Sequence, residues 1–207
     1  MWCGRQLEAR LSHVSSSLDA ARTGLTGKIQ MVPVDQDDKP GKNEGAGEEA
    51  AATIKLSSIL EEGLILCGMR ARGKREAVEE LASFVAQKRP GVSKDAIAES
   101  VLARERVCTT AIGRRSAFPH GEVAGLGKMI VAVGLSEAGV DFDAIDDLPV
   151  NFIVLIVTSE TAAGEYLGTL AAFASLSRDL DKMAVLLRAT SPVDVLRTIE
   201  GFDIEIV

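Results

Sequence analysis

One histidine of this chain stands in a context that could do chemistry. His120 lies between Pro119 and Gly121 in the string AFPHG. Proline fixes the backbone before the imidazole, and glycine leaves room for the close approach of a partner or ligand. An unperturbed imidazole is largely neutral at pH 7, so one ring nitrogen can attack an electrophilic phosphorus or bind a metal. His120 is therefore a candidate nucleophile or ligand, and the alternative is a structural residue of a loop.

A metal site at His120 would need further ligands, and the sequence offers none at a suitable spacing. The other histidine is His13, far away near the N-terminus, and the three cysteines form no CxxC pair. The nearby acids Glu122, Asp141 and Asp143 show no convincing ligand spacing. We therefore expect neither a metal nor a cofactor.

A second string resembles a phosphate-binding loop without completing it. Residues 68–74 read GMRARGK and match the pattern GxxxxGK. Arg75 follows, where a nucleotide-binding loop needs the Ser or Thr that holds magnesium. The string therefore favours a solvated turn between a strand and a helix.

Several motifs around His120 follow one another in a recognisable order. They are Arg104-Glu105, then TAIG from Thr110, then AFPHG. This series resembles the phosphorylation-site signature of the IIA proteins of the sugar phosphotransferase system, in the mannitol/fructose class that includes the nitrogen-regulatory IIA proteins. The similarity extends over residues 53–207, through IKLSSIL, KREAVEELA, VDFDAIDDLPVNFIVLIV and SPVDVLRTI.

The resemblance implies a chemical role for two of these residues. His120 would accept a phosphoryl group from the histidine phosphocarrier protein, then pass it to a downstream IIB component or keep it as a regulatory mark on a target. Arg104 matches the family's active-site arginine and would balance the charge of the phosphoryl oxygens. An ordinary ion pair at a helix end is the alternative for Arg104.

The sequence departs from the family pattern at one position and carries an unfavourable charge at another. Tyr166 stands where the family carries a second histidine. A phenol can donate a hydrogen bond at neutral pH but cannot carry an imidazolium's charge, so transfer would be slower. Glu122 adds a negative charge near the phosphoryl site if its side chain points inward. Without the family pattern, Tyr166 is equally readable as a half-buried aromatic on an apolar helix.

The elements that must position these residues follow from hydrophobic periodicity and end signals. We predict helices over about 74–88, ended by Pro90-Gly91, and from Ser93 to about Arg104. Short β-branched runs predict strands at 129–135 and 152–157, and helices follow over 162–177, near 183–188 and from Pro192. A final edge strand is expected at 202–207. This alternation predicts a three-layer α/β domain. The family resemblance implies a mixed sheet with helices on both faces, as in mannitol IIA.

The first 52 residues differ from the rest. Apolar residues at helical spacing predict one amphipathic helix over 5–22, and the acidic, glycine-rich stretch 35–49 predicts a flexible linker to a domain at 53–207. That helix is either a fraying extension or a partner-docking element.

Composition excludes several classes of function. The 207 residues carry a net charge of −7, which disfavours nucleic acid as a partner. No apolar run approaches the ~20 residues that span a bilayer, and no signal peptide is evident, so we expect a cytoplasmic protein without membrane insertion.

The sequence therefore favours a phosphotransferase-type IIA domain of the regulatory, nitrogen-related kind. The alternative is a IIA-fold sensor or protein-binding module whose transfer chemistry is weakened, as Tyr166 suggests. A cytoplasmic piece of a larger transporter or regulator is a third interpretation.

Overall fold

The computed structural model describes residues 52–159, 163–200 and 203–206. In chain order the elements are β1 (Ala52–Lys55), α1 (Leu56–Ile59), a 3₁₀ turn (Glu62–Leu64), β2 (Ile65–Cys67), α2 (Lys74–Lys88), α3 (Lys94–Glu105), β3 (Ala111–Gly113), β4 (Ser116–Ala117), β5 (His120–Glu122), β6 (Ile130–Val140), β7 (Val150–Thr158), α4 (Ala163–Leu176), α5 (Leu180–Leu186), α6 (Pro192–Glu200) and β8 (Asp203–Ile206). The chain divides into two units, Met1–Glu48 and Glu49–Val207. The predicted helix 5–22 and linker 35–49 lie outside the described residues. The predicted boundary between an N-terminal extension, 1–52, and a domain, 53–207, therefore stays a prediction.

Six strands form one mixed sheet centred on β7. The order is β2-β6-β7-β4-β3, and β5 continues the line of β4 along the same edge of β7. The strands β4 and β5 run parallel to β7, while β6 is antiparallel to it. His120 is in register with Ile156 near the end of β7. Strands β1 and β8 form a separate antiparallel pair.

Alternation along β7 divides the apolar residues between two cores. Ile153, Leu155 and Val157 pack with α2 and α3 on one face. Phe152, Val154 and Ile156 pack with α1, α4, α5 and α6 on the other face. A strand buried on both faces must be apolar along its whole length, as FIVLIV is. The predicted three-layer α/β architecture is therefore confirmed.

Most predicted elements are present, with two differences in the sheet. The first is that β6 continues from Leu135 to Val140 across an irregular register, beyond the predicted end. The second is that His120 begins the short strand β5 and does not lie in a loop. Ser93 is the N-cap of α3 as predicted, since its Oγ accepts from the amide of Ala96 at 3.2 Å.

The GMRARGK string forms the turn between β2 and α2, and its amides already have acceptors. The carboxylate of Glu80 accepts from the amides of Arg70 and Ala71, and that of Glu76 accepts from Arg72. The prediction of a solvated turn is wrong for Lys74, because its Nζ lies 3.4 Å from a carboxylate oxygen of buried Glu105. No described helix is long and apolar enough to span a bilayer.

Candidate active site

An aromatic cluster fixes the backbone on which the candidate nucleophile stands. The side chain of Phe118 is 2% exposed and packs against Phe152 and Phe173, with ring centroids 6.5 and 6.4 Å away. Its edge-on contact with Phe152 is a favourable geometry for two rings. The carbonyl of Pro119 accepts from the amide of Ile156 at 2.9 Å. The two residues before His120 are thus held by the core and by β7.

The fixed backbone determines which nitrogen of His120 is free. Nδ1 lies 2.9 Å from the carbonyl oxygen of Phe118. A carbonyl only accepts, so Nδ1 must carry the proton, and the neutral ring keeps its lone pair on Nε2. Nε2 is therefore the ring nitrogen that is free to act as a nucleophile. In an attack by Nε2, positive charge would grow on the ring, and the Phe118 carbonyl would stabilise the Nδ1–H that shares it.

His120 lines a cleft of about 490 Å³ between α3 and α4. The lining residues are Ser100, Arg104, His120, Gly121, Glu122, Thr158, Ser159 and Tyr166. The structure thus brings together the three sequence-predicted site residues, from the elements α3, β5 and α4. In the described part of the chain, no cluster of His, Cys, Asp and Glu could hold a metal ion.

The Arg104-Glu105 pair divides its two charges between the cleft and the core. Arg104, in the last turn of α3, is half-buried at the cleft, and its guanidinium donates to the carbonyl of Cys108 at 3.0 Å. Glu105 is 6% exposed and accepts from the amide of Thr110 at 3.2 Å and from its hydroxyl. Lys74 pairs with the same carboxylate. Buried Glu105 therefore ties α3 to the TAIG segment, and Arg104 is left to face the site.

Gly121 allows α3, rather than a ligand, to approach the strand β5 closely. A Cβ at this position would lie 2.7 Å from Ser100 Oγ and 2.9 Å from the backbone nitrogen of Val101. Real Cβ atoms do not come so close to a backbone atom, so any side chain here would push α3 away from β5. The space that the sequence suggested for a ligand is occupied by α3 itself.

Tyr166 lies beside the imidazole on α4. The ring centroids of His120 and Tyr166 are 5.3 Å apart, and the planes are inclined by 50°. Burial raises the pKa of the phenol, although Arg104 acts against it. Tyr166 is therefore protonated at neutral pH and can act in the cleft as a donor without a charge.

Burial also lowers the pKa of His120 below its ordinary value of 6.5. The Phe118 carbonyl acts against this shift by stabilising the protonated ring, and the Arg104 charge adds to it. A lowered pKa keeps the imidazole neutral at pH 7, as a nucleophile needs. Because the unfolded chain then binds more protons than the folded one near that pH, His120 makes the fold less stable as pH falls toward its folded pKa.

Sequence reasoning missed Ser100 as a residue of this cleft. It precedes Arg104 by four positions, so the two share one face of α3. That spacing was the available signal, but it gains meaning only once α3 is known to cross β5.

We predict that the His120 ring titrates in NMR with a midpoint below 6.5. Replacing Arg104 with alanine should raise that midpoint, because a neighbouring positive charge disfavours imidazolium. Arg104→Lys is the matched control, since it keeps the charge and should keep most of the lowering. A midpoint at or above 6.5 in the parent protein would contradict the described burial of His120.

Three comparisons relate this fold and site to known proteins. Residues 58–201 match the family model "Phosphoenolpyruvate-dependent sugar phosphotransferase system, EIIA 2". The "Nitrogen regulatory protein" of Bradyrhizobium diazoefficiens is 31% identical over 146 residues, which cover 70% of this chain and 94% of that protein. The crystal structure of nitrogen regulatory protein IIA-Ntr from Neisseria meningitidis superposes with a TM-score of 0.64 at 27% identity, covering 69% of this chain and 97% of that one.

The fold is also that of a mannitol component. In the solved complex of enzyme IIAMtl and phosphorylated enzyme IIBMtl from Escherichia coli, the similar chain has a TM-score of 0.57 at 21% identity, covering 69% of this chain and 97% of that one. That likeness supports the fold alone. Because the family model spans most of the sequence and the Bradyrhizobium diazoefficiens relative is matched over 94% of its length, this chain belongs to the EIIA 2 family of the phosphoenolpyruvate-dependent sugar phosphotransferase system.

Proposed function

We propose that the domain is a phosphoryl carrier with a regulatory role, and that its phosphoryl group is held on Nε2 of His120. The supporting observation is the hydrogen bond between Nδ1 and the Phe118 carbonyl, which leaves the other nitrogen's lone pair in the cleft. The donor would be the histidine phosphocarrier protein. The lone pair of Nε2 forms the new N–P bond as the N–P bond on the carrier breaks, and the leaving electron pair stays on the carrier's nitrogen.

The surroundings supply what phosphoryl transfer requires. Such reactions depend on positioning and on charge stabilisation of the phosphoryl oxygens more than on covalent chemistry by the protein. Arg104 contributes a positive charge that also lowers the pKa values of His120 and Tyr166, so its field reaches both rings. The phenol of Tyr166 contributes a neutral donor. Exposed Glu122 at the rim opposes the dianion, which makes Arg104 more important here.

The relatives support the regulatory part of the proposal. Several of them, including those of Bradyrhizobium diazoefficiens and Pseudomonas aeruginosa, carry the name nitrogen regulatory protein. A IIB component is the alternative acceptor, since a IIA of this fold has been solved in complex with phosphorylated IIB. The cytoplasmic location belongs to the same proposal, because phosphoenolpyruvate, named in the family's description, is a cytoplasmic metabolite.

One observation favours a second function. Tyr166 cannot take the charge that a histidine would place beside the phosphoryl group. If that charge is essential, the domain is a IIA-fold sensor or binding module that docks a partner without turning over phosphate.

The proposed function predicts that labelled phosphoenolpyruvate, with the general components of the system, transfers phosphate to His120. His120→Ala should abolish the label, which should be acid-labile and base-stable. His13→Ala is the matched control, because it removes the chain's other histidine and should leave labelling unchanged. Label that persists in a folded His120→Ala protein would exclude His120 as the acceptor.

Tyr166 distinguishes the carrier from the binding module. For a carrier, Tyr166→Phe should slow uptake several-fold and Tyr166→His should speed it by a similar factor, because a charge-assisted hydrogen bond exceeds a neutral one by on the order of 1 kcal/mol. Single-turnover rates from labelled phosphocarrier protein measure both changes. No uptake in the parent together with uptake in Tyr166→His would favour the binding module.

A further inference from the structure

Ser100 occupies a position in the cleft that the proposed mechanism has not used. It lies on α3 one turn before Arg104, and both side chains line the cleft with His120 and Tyr166. Residues four apart on a helix project from the same face. The guanidinium and the hydroxyl are thus presented together to the site.

The hydroxyl of Ser100 is held in place by the strand that carries His120. Its Oγ accepts from the amide of Glu122 at 2.8 Å. The same oxygen lies against Gly121, at 2.7 Å from where a Cβ would stand. Ser100 is therefore fixed against the two residues that follow His120.

The donor of this hydroxyl is unused. A serine has one O–H donor and two acceptor lone pairs, and only an acceptor function of Ser100 is occupied in the described part of the chain. Helical serines commonly donate back to the carbonyl four residues earlier, but among the described contacts Ser100 makes no such bond. An oriented hydroxyl with a spare proton, in the cleft that His120 lines, is suited to binding an anion.

We propose that Ser100 is a phosphate-binding residue, whose Oγ–H donates to an oxygen of the phosphoryl group on His120. The inference rests on the proposed function and adds a third donor to Arg104 and Tyr166. The hydroxyl proton is shared in this hydrogen bond and is not transferred. By accepting from Glu122 at the same time, Ser100 couples the position of β5 to that of the bound phosphoryl group, and polarisation along the chain strengthens the donor.

The test uses the full chain phosphorylated chemically with phosphoramidate, so that it does not require the phosphocarrier protein. Phosphorus NMR then follows ionisation of the phosphohistidine. A lost donor disfavours the dianion, so Ser100→Ala should raise the midpoint of that titration by about half a pH unit. Ser100→Thr keeps the hydroxyl and should behave like the parent protein. Ser83→Ala, a half-buried serine of α2 away from the cleft, is the matched control.

A second measurement separates binding from structure. Single-turnover transfer from labelled phosphocarrier protein should slow by about tenfold in Ser100→Ala at pH 7, with little change in Ser100→Thr. An unchanged titration midpoint in folded, phosphorylated Ser100→Ala would overturn the inference, even if the variant unfolds at a lower temperature. A parent that accepts phosphate from phosphoramidate but not from the phosphocarrier protein would instead contradict the proposed function, and the midpoint would still decide the role of Ser100.

Discussion

The hydrogen bond between the Phe118 carbonyl and Nδ1 of His120 is the interaction on which the site depends. It selects the tautomer and leaves Nε2 free, and in the proposed carrier it would stabilise the ring while the ring holds the phosphoryl group. The carbonyl can do this only because the side chain of Phe118 is buried among Phe152 and Phe173. The backbone carbonyl, held by this apolar cluster, thus orients the imidazole as a buried carboxylate does in other histidine sites. Unlike a carboxylate, it places no full negative charge beside the ring.

The rest of the fold brings polar side chains into the same cleft from two sides of the sheet. On one side, α3 can approach β5 because residue 121 is a glycine, and this contact brings Ser100 and Arg104 to the cleft. On the other side, α4 places Tyr166 against the imidazole. The buried Glu105 holds the end of α3, so the position of Arg104 is set by a hydrogen-bond network in the core. The geometry of the site therefore depends on how the core of this domain packs.

Long periodic elements could be predicted from the sequence, and short paired ones could not. Helix α2 has a clear apolar face and a Pro-Gly stop, and its bounds were predicted at Lys74 and Lys88. Strands β3, β4 and β5 have two or three residues each, too few to show a period. They form because β4 and β5 pair with β7 and β3 pairs with β4. The motif around His120 predicted the candidate nucleophile, and the structure places it in a cleft with Arg104 and Tyr166. Its reactive nitrogen and the role of Gly121 depend on contacts between distant segments, which no local pattern contains.

In the proposed carrier, the Phe118 carbonyl makes Nε2 the phosphoryl acceptor by holding the proton on Nδ1. Nitrogen-resolved NMR of the phosphorylated, ¹⁵N-histidine-labelled protein tests this assignment, because it shows which ring nitrogen is coupled to phosphorus. We predict coupling to Nε2 of His120, with the Nδ1 proton retained and protected from exchange by its hydrogen bond. Phosphorus coupled to Nδ1 would contradict it, because that atom could accept a phosphoryl group only after losing the bond to Phe118.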